Sequence, residues 1–217
     1  MAGRARVLAV RLTSLALCAL GVVACGSNTP TIPPELLASG GCASPDYPDG
    51  PFGSEEGDTL ANACFKGFRN PQKVSHDDAS LETIAFSDYY DPTGSKGFQL
   101  VLIDTAAVWC SACRTEHQGL SAKNDEYSPK GLRIIGTLFQ DAKHDPATTK
   151  DLNNWVETFS SDYAMVLDPE YQLGTYATAD LAPLNMVVNT RTMKIEKKLV
   201  GDHPTVLWPF IDASLGQ

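Results

Sequence analysis

The chain has 217 residues, 43% of them hydrophobic and 20% charged, with a formal net charge of −9 at pH 7. That length suits one ordinary globular domain with an extension. The acidic balance argues against nucleic acid or an anionic lipid face as a partner, and it says little about the fold.

The first 24 residues stand apart. Arg4, Arg6 and Arg11 precede an apolar run from about Leu12 to Ala24. The run is too short for a comfortable membrane span and reads as a secretory signal peptide over 1–24. Val22-Val23-Ala24-Cys25 resembles the lipobox of bacterial lipoproteins, with Val22 where most such boxes carry Leu. The resemblance implies that Cys25 is lipidated and becomes the mature N-terminus, anchored at a membrane surface without spanning it. Gly26, where inner-membrane lipoproteins often carry Asp, leans toward an outer membrane. Ordinary cleavage to a soluble secreted protein is the alternative. Loss of 1–24 would remove three of the 17 basic residues and none of the 26 acidic ones, taking the net charge from −9 to −12. No later segment is apolar enough to span a membrane. Residues 25–41, rich in Pro, Thr and Gly, read as a flexible tether.

Of the six cysteines, Cys18 would leave with the signal peptide and Cys25 would take the lipid. Cys42, Cys64, Cys110 and Cys113 remain, in a chain whose export lets disulfides persist. Four cysteines allow three pairings, of which the local one joins Cys42 to Cys64 and Cys110 to Cys113. Residues 42–80 are dense in Gly, Pro and Asp, with Tyr47, Phe52, Phe65 and Phe68 among them. Such a stretch makes turns rather than long elements. A Cys42–Cys64 disulfide would close this loop and contribute roughly 3 kcal/mol in the chain-entropy picture. We read that pair as structural, with a second redox pair as its rival.

From residue 98 onward, strands and helices alternate, which argues for an α/β domain over 81–217. "FQLVLID" (98–104) suits a buried central strand ending in Asp104. A helix should open at the Cys110-x-x-Cys113 motif and run to about Tyr127. A second buried strand follows at 132–139. Asp145-Pro146 resembles a helix start, an N-cap followed by Pro at the first helical position. That helix would place Leu152, Trp155, Val156 and Phe159 on one face. A third strand is expected at 163–167, then two antiparallel strands at 184–190 and 194–200. A last helix carries Leu207, Phe210, Ile211 and Leu215, and Pro209 must sit in its first turn or kink it.

The Cys-x-x-Cys carries the chemistry. Cys110 at a helix N-terminus would have its thiolate favoured by unpaired N–H groups and the helix dipole. Cys113, one turn along on the same face, could resolve a mixed disulfide formed on Cys110. Ser111 and Ala112 are small and leave Cys110 approachable.

"VLIDTAAVWCSACRTEHQGL" resembles the active-site segment of thioredoxin-like proteins, especially the TlpA/ResA-type, redoxin branch of thiol–disulfide oxidoreductases. Trp109, Cys110, Cys113, Arg114 and Glu116 fit its Trp-Cys-x-x-Cys-Arg/Lys-x-Glu pattern. Asp104 stands where thioredoxins carry a buried acid that takes the proton of the second Cys; the alternative is a strand-end Asp bonded to backbone. "LAPLNMVVNTRTMKI" (181–195) resembles the family's cis-proline strand, which implies a cis bond at Pro183 and a substrate-pairing backbone at Ala182. Trp109 would join Ala182 and Pro183 in substrate binding. The resemblance covers about 80–215. It departs at Gln118, which replaces a helix proline, at Ala182, which replaces Thr, Val or Ile, and at Asn189, which replaces Asp.

Other chemistries fit less well. A zinc site needs four ligands, and only Cys110, Cys113 and nearby His117 offer themselves. We expect His117 to be an exposed helix histidine and no metal or other cofactor to be used. Arg114 occupies the place of the haem-attaching His. A copper chaperone would need a wider Cys spacing, although His203 is available. Ala107 stands where peroxiredoxins carry Thr. The reading is a lipid-anchored, extracytoplasmic thiol–disulfide oxidoreductase, its partners client proteins and an electron-donating membrane protein. By the resemblance, the direction is reduction. The alternative is a non-catalytic binding or scaffold lipoprotein with an inert Cys110–Cys113 disulfide.

Overall fold

The computed structural model describes residues 42, 44–177 and 181–216. The signal peptide, the lipidated Cys25 and the tether expected from the sequence lie outside the described residues. Seven strands form one sheet: β1 (Cys64–Phe68), β2 (Glu82–Ala85), β3 (Leu100–Ala107), β4 (Leu132–Gln140), β5 (Ala164–Leu167), β6 (Leu184–Asn189) and β7 (Lys194–Val200). Their spatial order is β2-β1-β5-β4-β3-β6-β7. β3, β4 and β5 run parallel, while β1, β6 and β7 pair antiparallel with their neighbours. Among the described residues three α-helices follow the expected order: α1 (Ser111–Tyr127), α2 (Thr149–Phe159) and α3 (Pro204–Leu215).

β3 is the centre of the fold, and all eight of its residues are buried. An apolar run flanked on both edges by other strands can satisfy its backbone there and bury both faces. Alternation along the strand then assigns the faces. Leu100, Leu102 and Ala106 join one core with Leu120 and Tyr127 of α1, Trp155 and Val156 of α2, and Leu207 and Ile211 of α3. Val101 and Ile103 join a second core on the opposite face. Asp104 shares the parity of Leu102 and therefore points toward the helices. The strand does not end at Asp104, as expected, but continues through Ala107, because β4 and β6 supply partners on both sides.

Among the described residues, no α-helix lies over the second core. Its cover is the turn-rich N-terminal segment (Tyr47, Leu60, Ala61 and Ala63) together with Phe86, Tyr89, Leu173 and Tyr176 from short turns. Tyr47 donates its hydroxyl to the Leu60 carbonyl at 2.9 Å. The Leu60 N–H donates to Met193 O at 2.8 Å and the Ile195 N–H to Asp58 O at 2.9 Å, stitching the segment along β7. Cys42 and Cys64 are joined by a disulfide with Cα atoms 5.6 Å apart. The same segment contributes β1, which inserts between β2 and β5. At Gly67 a side chain would meet the Met165 carbonyl and come within 2.6 Å of Val166 Cα, so glycine permits that pairing.

One helix boundary differs from expectation. α2 begins at Thr149, not after Asp145-Pro146. Thr148 is its N-cap, and the Thr148 side chain and Asp151 satisfy each other's backbone N–H groups. Asp145 is instead held in a turn, its N–H and that of Lys143 both donating to Asp141 Oδ1. In α3, Pro204 takes the first-turn position and Pro209 falls inside the helix.

If the N-terminal segment is core rather than appendage, Leu60→Ala should destabilise the protein by about 2–5 kcal/mol, as removal of a buried Leu does. Urea unfolding measures it. A loss under about 0.5 kcal/mol, typical of surface positions, would contradict this account.

Candidate active site

The turn after β3 is fixed at three points. The Val108 N–H donates to Gln140 O at 2.9 Å, and the Cys110 N–H donates to Ala107 O at 3.0 Å. The Trp109 indole N–H donates to Gln140 Oε1 at 3.0 Å. Cys110 then caps α1: its Sγ accepts the Cys113 N–H at 3.1 Å. Cys110 and Cys113 form a disulfide with Cα atoms 5.3 Å apart. Cys113 is fully buried and Cys110 is 4% exposed, less open than its small neighbours suggest.

The Ala182–Pro183 peptide is cis. The Ala182 carbonyl oxygen lies 3.5 Å from Cys110 Sγ. Two bonds hold this loop: the Leu184 N–H donates to Thr105 Oγ1 at 3.0 Å, and the Gly201 N–H donates to Pro183 O at 2.8 Å. The residue before it, Leu181, is 56% exposed. Leu181 and Trp109 flank a cleft of about 270 Å³ completed by Phe139, Gln140, His144 and Tyr171. Within it Trp109 stacks on His144 at 4.9 Å and Phe139 on Tyr171 at 4.0 Å. A larger cleft, about 730 Å³, is lined by Leu100, Arg191 and Phe210, at the other end of β3 from the cysteines.

Beneath the disulfide lies a buried polar group. Asp104 is fully buried and pairs in register with Gly136 on β4 and Asn185 on β6. His117, four residues after Cys113, is also fully buried, which corrects the expectation of an exposed helix histidine. Its Nε2 lies 2.6 Å from Asp104 Oδ1. Its Nδ1 accepts the Trp155 indole N–H at 3.0 Å and lies 2.9 Å from the Tyr163 hydroxyl. Glu116 accepts a bond from the Asn185 side-chain amide at 3.0 Å. Asp104 Oδ2 and Glu116 Oε2 are buried, and among the described residues no group other than the two carboxyls themselves offers either oxygen a hydrogen bond. Burial pushes both carboxyls above the usual carboxylate range, and the charge of Asp104 pushes Glu116 further. Two neighbouring buried carboxyls cannot both ionise cheaply, so they hold one proton between them. Burial lowers His117 to about 4.

The structure therefore brings Trp109, Cys110, Ala182 and Pro183 together at the mouth of α1, with Asp104 and Glu116 beneath. Arg114 stays on the outside, its guanidinium 5.9 Å and 5.5 Å from the Trp155 and Phe159 ring centres. His203 caps α3 as an exposed residue bonded to Val200 O. Among the described residues, no cluster of three or more His, Cys, Asp or Glu is arranged to hold a metal. Sequence reasoning missed Trp155, Tyr163 and Asn185 as polar partners, since it placed the first on an apolar helix face and the others in strand runs. The spacing of Cys113 and His117, one turn apart on a buried face, was the available signal for His117.

Similarity to known proteins agrees with this geometry. The sequence pattern of the AhpC/TSA family matches residues 65–192, reaching further toward the N-terminus than the motifs alone. The thiol:disulfide interchange protein DsbE of Tatumella citrea is 28% identical over 109 residues, covering 50% of this chain and 53% of that protein. DsbE of Escherichia coli K12 is 31% identical over 75 residues, 34% of this chain and 35% of that one. The chain thus aligns with about half, or less, of each of these relatives. Among solved structures, a candidate thiol:disulfide interchange protein DsbE from Chlorobium tepidum superposes with a TM-score of 0.57 at 21% identity, covering 75% of this chain and 99% of that one. A thiol:disulfide interchange protein from Bacteroides sp. gives 0.54 at 20% identity over 75% and 91%. With its family pattern spanning more than half of it, the chain belongs to the AhpC/TSA family and has a thioredoxin-like fold.

Proposed function

We propose that the protein is a lipid-anchored, extracytoplasmic thiol–disulfide oxidoreductase that reduces protein disulfides through Cys110 and Cys113. The observation that carries the reading is Cys110 Sγ at the N-terminus of α1, accepting the Cys113 N–H at 3.1 Å. That bond and the helix dipole favour a thiolate once the pair is reduced. The Cys110 thiolate attacks a client disulfide, forming a Cys110–client S–S bond while the other client sulfur leaves as thiolate and takes a proton. Cys113 then gives its proton to Asp104 and attacks Cys110 Sγ. The Cys110–Cys113 disulfide forms, and the second client sulfur leaves. Two electrons pass to the client; its two thiolates take the proton that Cys113 gave to Asp104 and one more from solvent, and a dithiol donor at the membrane must restore the pair.

Ala182 and Pro183 offer an extended backbone beside Cys110 for the client segment, and Trp109 borders the adjacent cleft. Ala107 provides no hydroxyl next to the motif, which favours disulfide exchange over peroxide reduction. Export and anchoring rest on the Arg-rich, apolar leader and on the Val-Val-Ala-Cys25 sequence, and the Cys42–Cys64 pairing suits an oxidising compartment.

Three measurements test this reading. With Cys113→Ser, Cys110 should accumulate mixed disulfides with extracytoplasmic proteins, seen on non-reducing gels. If none forms, the exchange reading fails in favour of the inert-disulfide scaffold. Radiolabelled palmitate should mark the parent and not Cys25→Ala, so equal labelling of both would sink the anchor. Thermal melts test the carboxyl pair. A carboxyl raised in the folded state stays protonated where the unfolded chain has released its proton. Its contribution therefore destabilises increasingly as pH rises from about 4 through the raised folded value. His117 has the opposite sign, adding stability as pH rises from about 4 to 6.5. Comparing each variant with its parent isolates the carboxyl. Glu116→Gln keeps an acceptor for Asn185 and removes one titration, so its Tm relative to the parent should rise between pH 5 and pH 9. A difference that stays constant across that range would count against the pair.

A further inference from the structure

The imidazole of His117 has only one arrangement of hydrogens that satisfies its partners. An indole N–H can donate and never accept, so Trp155, 3.0 Å from Nδ1, requires a bare lone pair there. The single ring proton of the neutral imidazole must then sit on Nε2, which points at Asp104 Oδ1 across 2.6 Å. The Tyr163 hydroxyl, 2.9 Å from the same Nδ1, is compatible with this tautomer because it can donate there. Phe159 and Trp155 pack their rings around the imidazole at 5.8 Å and 5.0 Å between centres, closing it from water. The ionisable groups that face the site are Asp104 from β3, Glu116 from α1 and Tyr163 ahead of β5. The Arg114 guanidinium lies on the far side of the Trp155 and Phe159 rings.

The consequence concerns which carboxyl holds the shared proton. Asp104 receives a short N–H bond from a ring that can only donate to it. Glu116 receives one bond from the Asn185 amide at 3.0 Å. A bond to an ionised acceptor is stronger than one to a neutral acceptor, so the shorter donor favours the anion on Asp104 and leaves the proton on Glu116.

We infer that His117 is a positioning residue for the exchange reaction: locked by Trp155 as the Nε2–H tautomer, it keeps Asp104 ionised and aimed as the base that receives the Cys113 proton. This rests on the reading that Cys110 and Cys113 exchange disulfides. His117 itself touches no substrate and carries no proton to or from it. Its place is one helical turn below Cys113, so the same helix that presents the thiol also sets the state of its base.

The test follows the two releases of thionitrobenzoate when the reduced protein meets 5,5′-dithiobis(2-nitrobenzoate). The first reports attack by Cys110. The second reports attack by Cys113 on the Cys110 mixed disulfide, with a leaving group that needs no proton. In His117→Leu the second release should slow about tenfold at pH 7, the scale of one charge-assisted hydrogen bond, and recover toward the parent rate by pH 9. The first release should be unchanged. His117→Gln, which can still donate near the Nε2 position, should stay within about twofold of the parent. Long-range ¹H–¹⁵N spectra of the parent at pH 7 should show an unprotonated Nδ1 and a protonated Nε2 at His117. The inference is overturned by a proton on Nδ1, by a Leu variant that matches the parent, by a slowing equal at every pH, or by a Gln variant as slow as Leu. If His117→Leu does not fold, the Gln rates and the parent spectrum decide. A parent that gives no second release at all instead defeats the exchange reading itself, which separates the two failures.

Discussion

A carboxyl group in the middle of a strand buried along its whole length is the constraint around which this molecule is arranged. β3 has a strand on each edge and a packed core on each face, so Asp104 has no route to water. A buried carboxylate without donors would cost several kcal/mol, and its needs must be met by whatever packs on that face. What packs there is α1. The bond from His117 Nε2 to Asp104 fixes where along β3 the helix sits. Cys113 then stands one turn nearer the helix start, and Cys110 at its mouth, against the Ala182 carbonyl. The register of the Cys110–Cys113 pair over the sheet follows from the demand of one acidic side chain.

The opposite face of the sheet is solved by different means. Among the described residues no α-helix covers it, and the apolar side chains of β3, β6 and β7 there are closed by turns. The part of the segment ahead of β1, dense in Gly, Pro and Asp, can do this because it needs no strand ladder of its own. It borrows partners from β7 through Gly57, Asp58 and Leu60. Its two cysteines, joined across 22 positions, limit how far the loop can open. The extension is thus part of the folded unit, and the family pattern begins within it, at residue 65.

These elements are legible in the chain where one local signal has no rival. β7 occupies 194–200, as its alternation and flanking turn indicate, and α1 ends at Tyr127 as expected. Reading was less sound where two local signals competed. Asp145-Pro146 and Thr148 with Asp151 both resemble helix starts. Asp141 settles the matter by capturing the backbone of Lys143 and Asp145 in a turn. His117 was misjudged for a related reason. A polar residue among Arg114, Thr115, Glu116 and Gln118 looks solvent-exposed unless the strand beneath the helix is known to carry an acid at that level.

The sequence by itself determined the placement of the Cys110–Cys113 pair at a helix start and the order of the elements. A Cys-x-x-Cys after an apolar strand places two thiols one helical turn apart, whatever surrounds them, because helix geometry is local. It also marked Asp104 and Pro183 as partners of that motif, through resemblance. Only the tertiary structure decided how those partners are held. Which nitrogen of His117 carries its proton, which residues satisfy it, and that Asn185 meets Glu116 all depend on contacts between residues 13 to 69 positions apart. Hydrogen bonding at such range is set by strand register and helix docking, and no short stretch of sequence records either.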